Sequence, residues 1–243
     1  MSDGMYDNVE GIIRRQMVLF FLIDTSGSMD GTKIGAVNTA IREVVPDLQD
    51  IGGADIDLKI AVLEFSIGCR WQNPQGPVPV EDFFWTNLSA EGGTDMGAAF
   101  RELNEKLSRK SFLKAPSASV APVILLLSDG QPGDDYQSAL GVLKNNNWYK
   151  SAVKVAIAIG NDADQEVLAE FTGTRETVIA AYTPEVLRKM IRTVSVTSSQ
   201  IGSRSQPLQN GEIVSKQETM AQEIQNMVQA DPDYNSADTV DGW

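Results

Sequence analysis

The sequence predicts an α/β fold, a mainly parallel sheet with helices on both faces. Two observations carry that prediction. The runs Met17–Ile23 and Val120–Leu127 are continuously apolar rather than alternating, as in strands buried on both faces. Strand-like and helix-like segments also alternate through about residue 194, the pattern of parallel strands joined by crossover helices. Right-handed crossovers bring the carboxyl ends of all parallel strands to one edge, where such sheets bind ligands.

The elements follow in order. Met17–Ile23 is a strand that stops at Asp24. Gly31 to Leu48 carries Ile34, Val37, Ile41, Val44 and Val45 at helical spacing. Asp57 to Ser66 reads as a strand, and a short one near Gly68 to Gln72 can pair with it antiparallel. Three prolines between Asn73 and Val80 make that stretch loop or sheet edge. Thr94 to Leu107 places Met96, Ala99, Phe100, Leu103 and Leu107 on one helical face. Val120 to Leu127 is the next strand and ends at Ser128-Asp129-Gly130. A helix from about Asp135 to Asn146, a strand over Lys154–Ile159 and a short helix over Asp164–Phe171 follow. Glu176–Ala180 is a last strand and Pro184–Val194 a last helix, with proline in its favoured early position.

The chain therefore divides into an N-terminal extension (1–16), a folded domain (17–194) and an acidic tail (195–243). The tail holds 2 basic and 7 acidic residues. Its Ser- and Thr-rich start, Ser195–Ser205, reads as a linker. An amphipathic helix is expected from about Glu212 to Gln229, with the stripe Met220, Ile224, Met227 and Val228. Asp231–Trp243 has the composition of a disordered segment.

Composition narrows the chemistry. The chain has 243 residues, no His, one Cys and a net charge of −13. Without imidazole there is no Ser-His-Asp triad, Cys-His dyad or His-ligated zinc. One Cys rules out an intramolecular disulfide and a Cys₄ metal site. The acidic balance opposes nucleic acid and anionic membranes. The first residues lack the apolar core of a secretory signal, and no run of about 18 apolar residues spans a membrane. Together with Cys69 as the only thiol, these points make the cytoplasm the expected compartment.

The informative constellation lies at the predicted ligand edge. Two buried strands end in an aspartate, Asp24 and Asp129. The first opens the D-x-S-x-S pattern Asp24-Thr25-Ser26-Gly27-Ser28, which chance alone produces about 0.1 times in a chain of this composition. Gly92-Gly93-Thr94-Asp95 supplies a third loop at a helix start. Asp24, Ser26, Ser28, Thr94 and Asp129 thus gather five oxygen-bearing side chains on one edge. Hard divalent cations take such donors, and two carboxylates with hydroxyls and water suit Mg²⁺ (or Mn²⁺ or Ca²⁺). The competing interpretation is that the serines cap the following helix and the aspartates serve turns. Asp30, Asp95, Asp134 and Asp135 lie nearby in sequence, and helix-start charges explain them best.

These three segments resemble the metal-ion-dependent adhesion site of von Willebrand factor A domains, over roughly residues 14–194. The resemblance implies a Rossmann-like three-layer fold: a mostly parallel six-stranded sheet with one antiparallel edge strand. It also implies direct metal binding by Ser26 and Ser28. Thr94, Asp24 and Asp129 would bind directly or through water. With mostly neutral direct ligands, the cation keeps much of its charge and an open position for a protein partner's carboxylate. The Gly-Gly-Thr-Asp and Leu-Ser-Asp-Gly-Gln-Pro forms are similar to the bacterial TerY-type tellurite-resistance branch. That branch implies a stress-response adaptor working with a Ser/Thr kinase and phosphatase, with Thr239 or Thr219 as phosphoacceptor.

Two other functions compete with this non-enzymatic reading. A metal-dependent phosphoester hydrolase would use Asp24 as nucleophile, but an aspartyl-phosphate enzyme wants a second Asp where Ser26 stands. A structural assembly subunit would instead use a sheet edge or the tail. Glu64, inside an apolar strand, is expected at an outward or edge position paired with a Lys or Arg, and Cys69 is expected to pack.

Overall fold

The structure is a computed structural model that describes residues 14–51, 56–114, 119–204, 208–209, 212–230 and 243. Thr239 and most of the segments 1–16 and 231–243 lie outside the described residues. The elements run β1 (Arg15–Asp24), α1 (Thr32–Gln49), β2 (Ile56–Ser66), β3 (Gly68–Trp71), β4 (Val78–Pro79) and α2 (Met96–Lys106). Next come β5 (Val123–Ser128), α3 (Tyr136–Leu143), α4 (Asn147–Ser151), β6 (Val153–Ile159), α5 (Gln165–Thr172) and β7 (Val178–Ala181). The last are α6 (Pro184–Ser203), the two-residue strands β8 (Leu208–Gln209) and β9 (Glu212–Ile213), and α7 (Lys216–Ala230).

The main sheet has the order β3-β2-β1-β5-β6-β7. All pairings are parallel except those of β3 and β4 with β2. The architecture is thus the expected three-layer α/β one with an antiparallel edge. The proline-rich stretch adds a seventh, two-residue strand to it.

The apolar run of β1 explains the layering. Successive side chains alternate between faces, so Met17, Leu19, Phe21 and Ile23 enter one core and Val18, Phe20 and Leu22 the other. The first core is closed by α1, α6 and α7, the second by α2, α3, α4 and α5. Glu64 lies on β2, one strand in from the edge, and pairs with Arg70 of the edge strand β3 at 2.8 Å, so the expected basic partner is present. Lys154 is a buried cation at the second core. It alternates onto the second face of β6, and its ammonium donates to the Tyr149 and Ala152 carbonyls. Burial pulls its pKa down to about 8.

Two expectations are corrected. The helix predicted to reach Asn146 ends at Leu143, because the Asn146 side chain turns to accept from the Trp148 amide and caps α4. The Ser-rich stretch 195–203 is not a linker but the second half of α6. Ser195, Ser198 and Ser199 are fully buried. A Cβ at Gly202 would stand 2.9 Å from Val123 Cγ2 and 3.0 Å from Met17 Sδ. The small side chains are a stripe that lets the helix lie close on β1 and β5.

The tail helix docks on the domain. Ser215 and Glu218 form a reciprocal capping box at the start of α7. Gln217 then reaches the β6 entry: its Oε1 accepts from the Lys154 amide, and its Nε2 donates to the Lys154 carbonyl and to Thr177 Oγ1. Met220 and Ile224 are buried in the first core, with Met227 and Val228 packed against it. Met220→Ala will therefore lower unfolding free energy by about 2–5 kcal/mol in urea denaturation. No loss would mean that α7 is not a docked part of the domain.

Candidate metal centre

The site is built by strand register. β1 and β5 lie parallel with Ile23 opposite Leu127, so the next residues, Asp24 and Ser128, stand side by side at the carboxyl edge. Ser128 Oγ donates to Asp24 Oδ2 at 2.6 Å, and the Ser26 amide donates to Asp24 Oδ1 at 2.9 Å. Backbone bonds tie the loops together. The Gly27 amide donates to the Gly92 carbonyl, the Glu91 amide to the Thr25 carbonyl and the Gly133 amide to the Thr94 carbonyl.

Sequence reasoning placed Asp24, Ser26, Ser28, Thr94 and Asp129 on one edge, and the fold brings all five into one cradle. Asp24, Ser26 and Asp129 are buried at its base, with Ser28 and Thr94 at the rim. Ser28 Oγ donates to Asp129 Oδ1 at 2.7 Å and lies 3.0 Å from Ser26 Oγ. The position a Cβ would take at Gly130 is 3.3 Å from Thr94 Oγ1, 3.7 Å from Asp24 Oδ2 and 3.8 Å from Ser28 Oγ. Donors from three loops thus converge on one small space that only a glycine leaves open.

The capping interpretation of the serines does not describe these contacts. Ser26 precedes the 3₁₀ turn Gly27–Met29 without a side-chain cap bond, and Gly31 precedes α1. The serine hydroxyls face each other and Asp129 instead. The flanking acids do have structural roles. Asp134 accepts from the Gly97 and Ala98 amides at the start of α2. Asp135 caps α3 through the Ser138 amide, and Asp95 accepts from the Gly68 amide.

Electrostatics set the cradle apart from an ordinary turn. Burial pushes the Asp24 carboxyl above its usual range. Hydrogen bonds from Ser128 and Ser26 pull it back in part, and the charge of Asp129 adds to the rise. Two buried carboxylates in one space call for positive charge. Among the described residues no group of three or more His, Cys, Asp or Glu side chains is placed to hold a metal. The donor set is instead two carboxylates and neutral hydroxyls, which suits a hard divalent cation.

Sequence reasoning missed three participants. Lys33, in the first turn of α1, places Nζ 2.5 Å from Asp129 Oδ2. A basic residue at a helix start, against the helix dipole, was the available signal. Ser128 is the second partner of Asp24, signalled by a hydroxyl at the end of a buried strand. Gly130 matters for the space it leaves, which no sequence pattern reveals. Thr219 lies within α7 and donates its hydroxyl to the Ser215 carbonyl at 3.1 Å.

Beside the cradle a groove of about 810 Å³ runs from Thr25 past Ser66, Ile67 and Glu91. Ile67 is 80% exposed at its edge. Among the described residues no helix is long and apolar enough to cross a membrane.

Comparison with known proteins agrees with this architecture. The family model of the von Willebrand factor type A domain matches residues 19–193. Inter-alpha-trypsin inhibitor heavy chain H4 of Bos taurus is 29% identical over 136 residues, and heavy chain H1 of Mesocricetus auratus is 24% identical over 127. Each match spans 52% of this chain and only 14% of the heavy chain. Among solved structures, a von Willebrand factor type A protein from Catenulispora acidiphila superposes with a TM-score of 0.58 at 24% identity, over 76% of this chain and 43% of that one. Proximal thread matrix protein 1 from the mussel byssus, with a zinc-occupied MIDAS motif, gives a TM-score of 0.57 at 17% identity, over 78% and 47%.

Proposed function

We propose, given that the chain belongs to the von Willebrand factor type A domain family, that it is a protein-interaction module whose contact runs through a divalent cation. Asp24, Ser26, Ser28, Thr94 and Asp129 would hold the cation, with Mg²⁺ as the natural occupant and Mn²⁺ or Ca²⁺ as alternatives. The observation that carries this reading is the convergence of Thr94, Asp24 and Ser28 oxygens around Gly130. The zinc-occupied MIDAS of the mussel protein supports metal binding by a protein of this fold. The bound cation supplies a Lewis-acidic coordination position. This chain's residues orient its other ligands and leave the rim at Ser28 and Thr94 accessible to a partner's carboxylate. The groove past Ile67 offers adjoining surface for that partner.

The donor set favours binding over catalysis, because Ser26 stands where an aspartyl-phosphate enzyme wants a second carboxylate. The finer assignment makes the chain a cytoplasmic adaptor in a tellurite-type chemical-stress system with a Ser/Thr kinase and phosphatase. Its stress-system, kinase and phosphatase links rest on the similarity of the Gly-Gly-Thr-Asp and Leu-Ser-Asp-Gly-Gln-Pro forms alone.

Affinity capture from the native host, with Mg²⁺ and with EDTA, tests the reading. Capture is expected to need Mg²⁺ and to be lost in Gly130→Ala, whose methyl group fills the cradle. Capture that survives both EDTA and Gly130→Ala would rule out a metal-bridged contact.

A further inference from the structure

Lys33 has no place in a site made only of oxygen donors, yet it is tightly built into this one. Its side chain is 15% exposed, and its ammonium sits on a carboxylate that is fully buried. It stands in the first turn of α1, where the helix dipole disfavours a cation, so helix stability does not account for it. Both oxygens of Asp129 are engaged by donors, Oδ1 by Ser28 and Oδ2 by Lys33. A cation that reaches Asp129 meets a hydroxyl on one side and a fixed positive charge on the other. The hydroxyl can turn its lone pairs to the metal. The ammonium has only donors and repels it.

The end of Lys33 also lies beside Gly160, which follows β6 at the same sheet edge with φ of 80°. Lys33 Cε and Nζ each lie 3.4 Å from where a Cβ would stand there, and Trp243 Nε1 lies 3.7 Å from the same point. That indole nitrogen is buried with no acceptor among the described residues. The end of Lys33 and the indole nitrogen of Trp243 thus both border Gly160.

We propose that Lys33 is a tethered counter-ion of the metal site: it neutralises Asp129 in the metal-free protein and is displaced when a divalent cation enters. It thereby weakens cation binding. The inference rests on the metal-site reading above and adds the residue that sets its affinity.

Calorimetric titration of the full chain with Mn²⁺ tests it, using wild type, Lys33→Met, Lys33→Gln and Lys33→Arg. Removing the charge is expected to tighten binding at least tenfold in both neutral variants, whereas Lys33→Arg stays within about threefold of wild type. The metal-free neutral variants should also melt below wild type, and saturating Mn²⁺ should close the gap. A merely structural lysine would give lower stability without tighter binding. Equal or weaker binding in a folded neutral variant therefore overturns the proposal, while the wild-type titration still reports on the metal site itself. Absence of binding in every protein would overturn both readings.

Discussion

Asp24→Asn will abolish divalent-metal binding while making the metal-free protein more stable above the ordinary aspartate pKa. The amide is isosteric and keeps both contacts. Its oxygen accepts from the Ser26 amide, and its NH₂ donates to Ser128 Oγ once that hydroxyl turns. What disappears is a charge at a residue with 0% exposure. The expected loss of affinity exceeds a hundredfold, about 2.8 kcal/mol, read by Mn²⁺ titration.

The pH profile gives an independent check. Because the folded Asp24 carboxyl titrates above its usual value, mainly through burial, the folded state binds more protons than the unfolded chain between the two values. Stability of the metal-free protein therefore falls as pH rises from about 3.9, the ordinary aspartate value, to the folded value. It is flat beyond that. Asp24→Asn lacks this decline, so the gap in urea midpoint should open in that window and then stay constant. Metal affinity of the wild type should weaken as pH falls through the same window, because the proton and the cation compete for one carboxylate. A variant that binds Mn²⁺ like wild type, or one uniformly less stable at all pH values, would contradict this account.

Gly97→Ala will destabilise the domain, although Gly→Ala inside a helix ordinarily stabilises it by about 1 kcal/mol. Gly97 is the second residue of α2, and its amide donates to Asp134 Oδ1 at 2.8 Å. A Cβ there would stand 2.7 Å from Asp134 Oδ2 and 2.8 Å from the Asp135 carbonyl. The Asp134 side chain can swing away, but then the Gly97 and Ala98 amides lose their acceptor. The Asp135 carbonyl belongs to the backbone that enters α3, so it moves only by shifting that helix. Overpacking of about 1–3 kcal/mol and a lost cap of about 1 kcal/mol outweigh the propensity gain. The net expected loss is about 1–3 kcal/mol by urea denaturation. An increase in stability would show that the 130s loop yields freely to α2.

Much of the framework was legible because it follows local rules. Continuous apolar runs marked β1 and β5 as doubly covered strands, and the spacing of Met96, Ala99, Phe100 and Leu103 marked α2. The failures occurred where composition misleads. Serines at 195–203 resemble a linker, since serine favours solvent and turns. Here Ser195, Ser198 and Ser199 are small enough to let α6 press onto the sheet. The break between α3 and α4 was hidden because an asparagine cap looks like any polar residue in a helix until its side chain turns to the backbone.

For the site, the sequence alone determined the donor types. Without His and with one Cys, only oxygen chemistry remained. D-x-S-x-S, Gly-Gly-Thr-Asp and Ser-Asp-Gly, each placed after a strand or before a helix, put those oxygens on one edge. The tertiary structure decided everything that depends on distance between residues far apart in the chain. It set Ser128 against Asp24 through parallel register, turned Ser28 toward Asp129 and closed three donors around Gly130. It also put the ammonium of Lys33 on Asp129, 96 residues away in sequence. Coulomb interaction and steric contact act over a few ångströms of space, which local patterning does not encode, so the charge balance of the site appears only once the chain is folded.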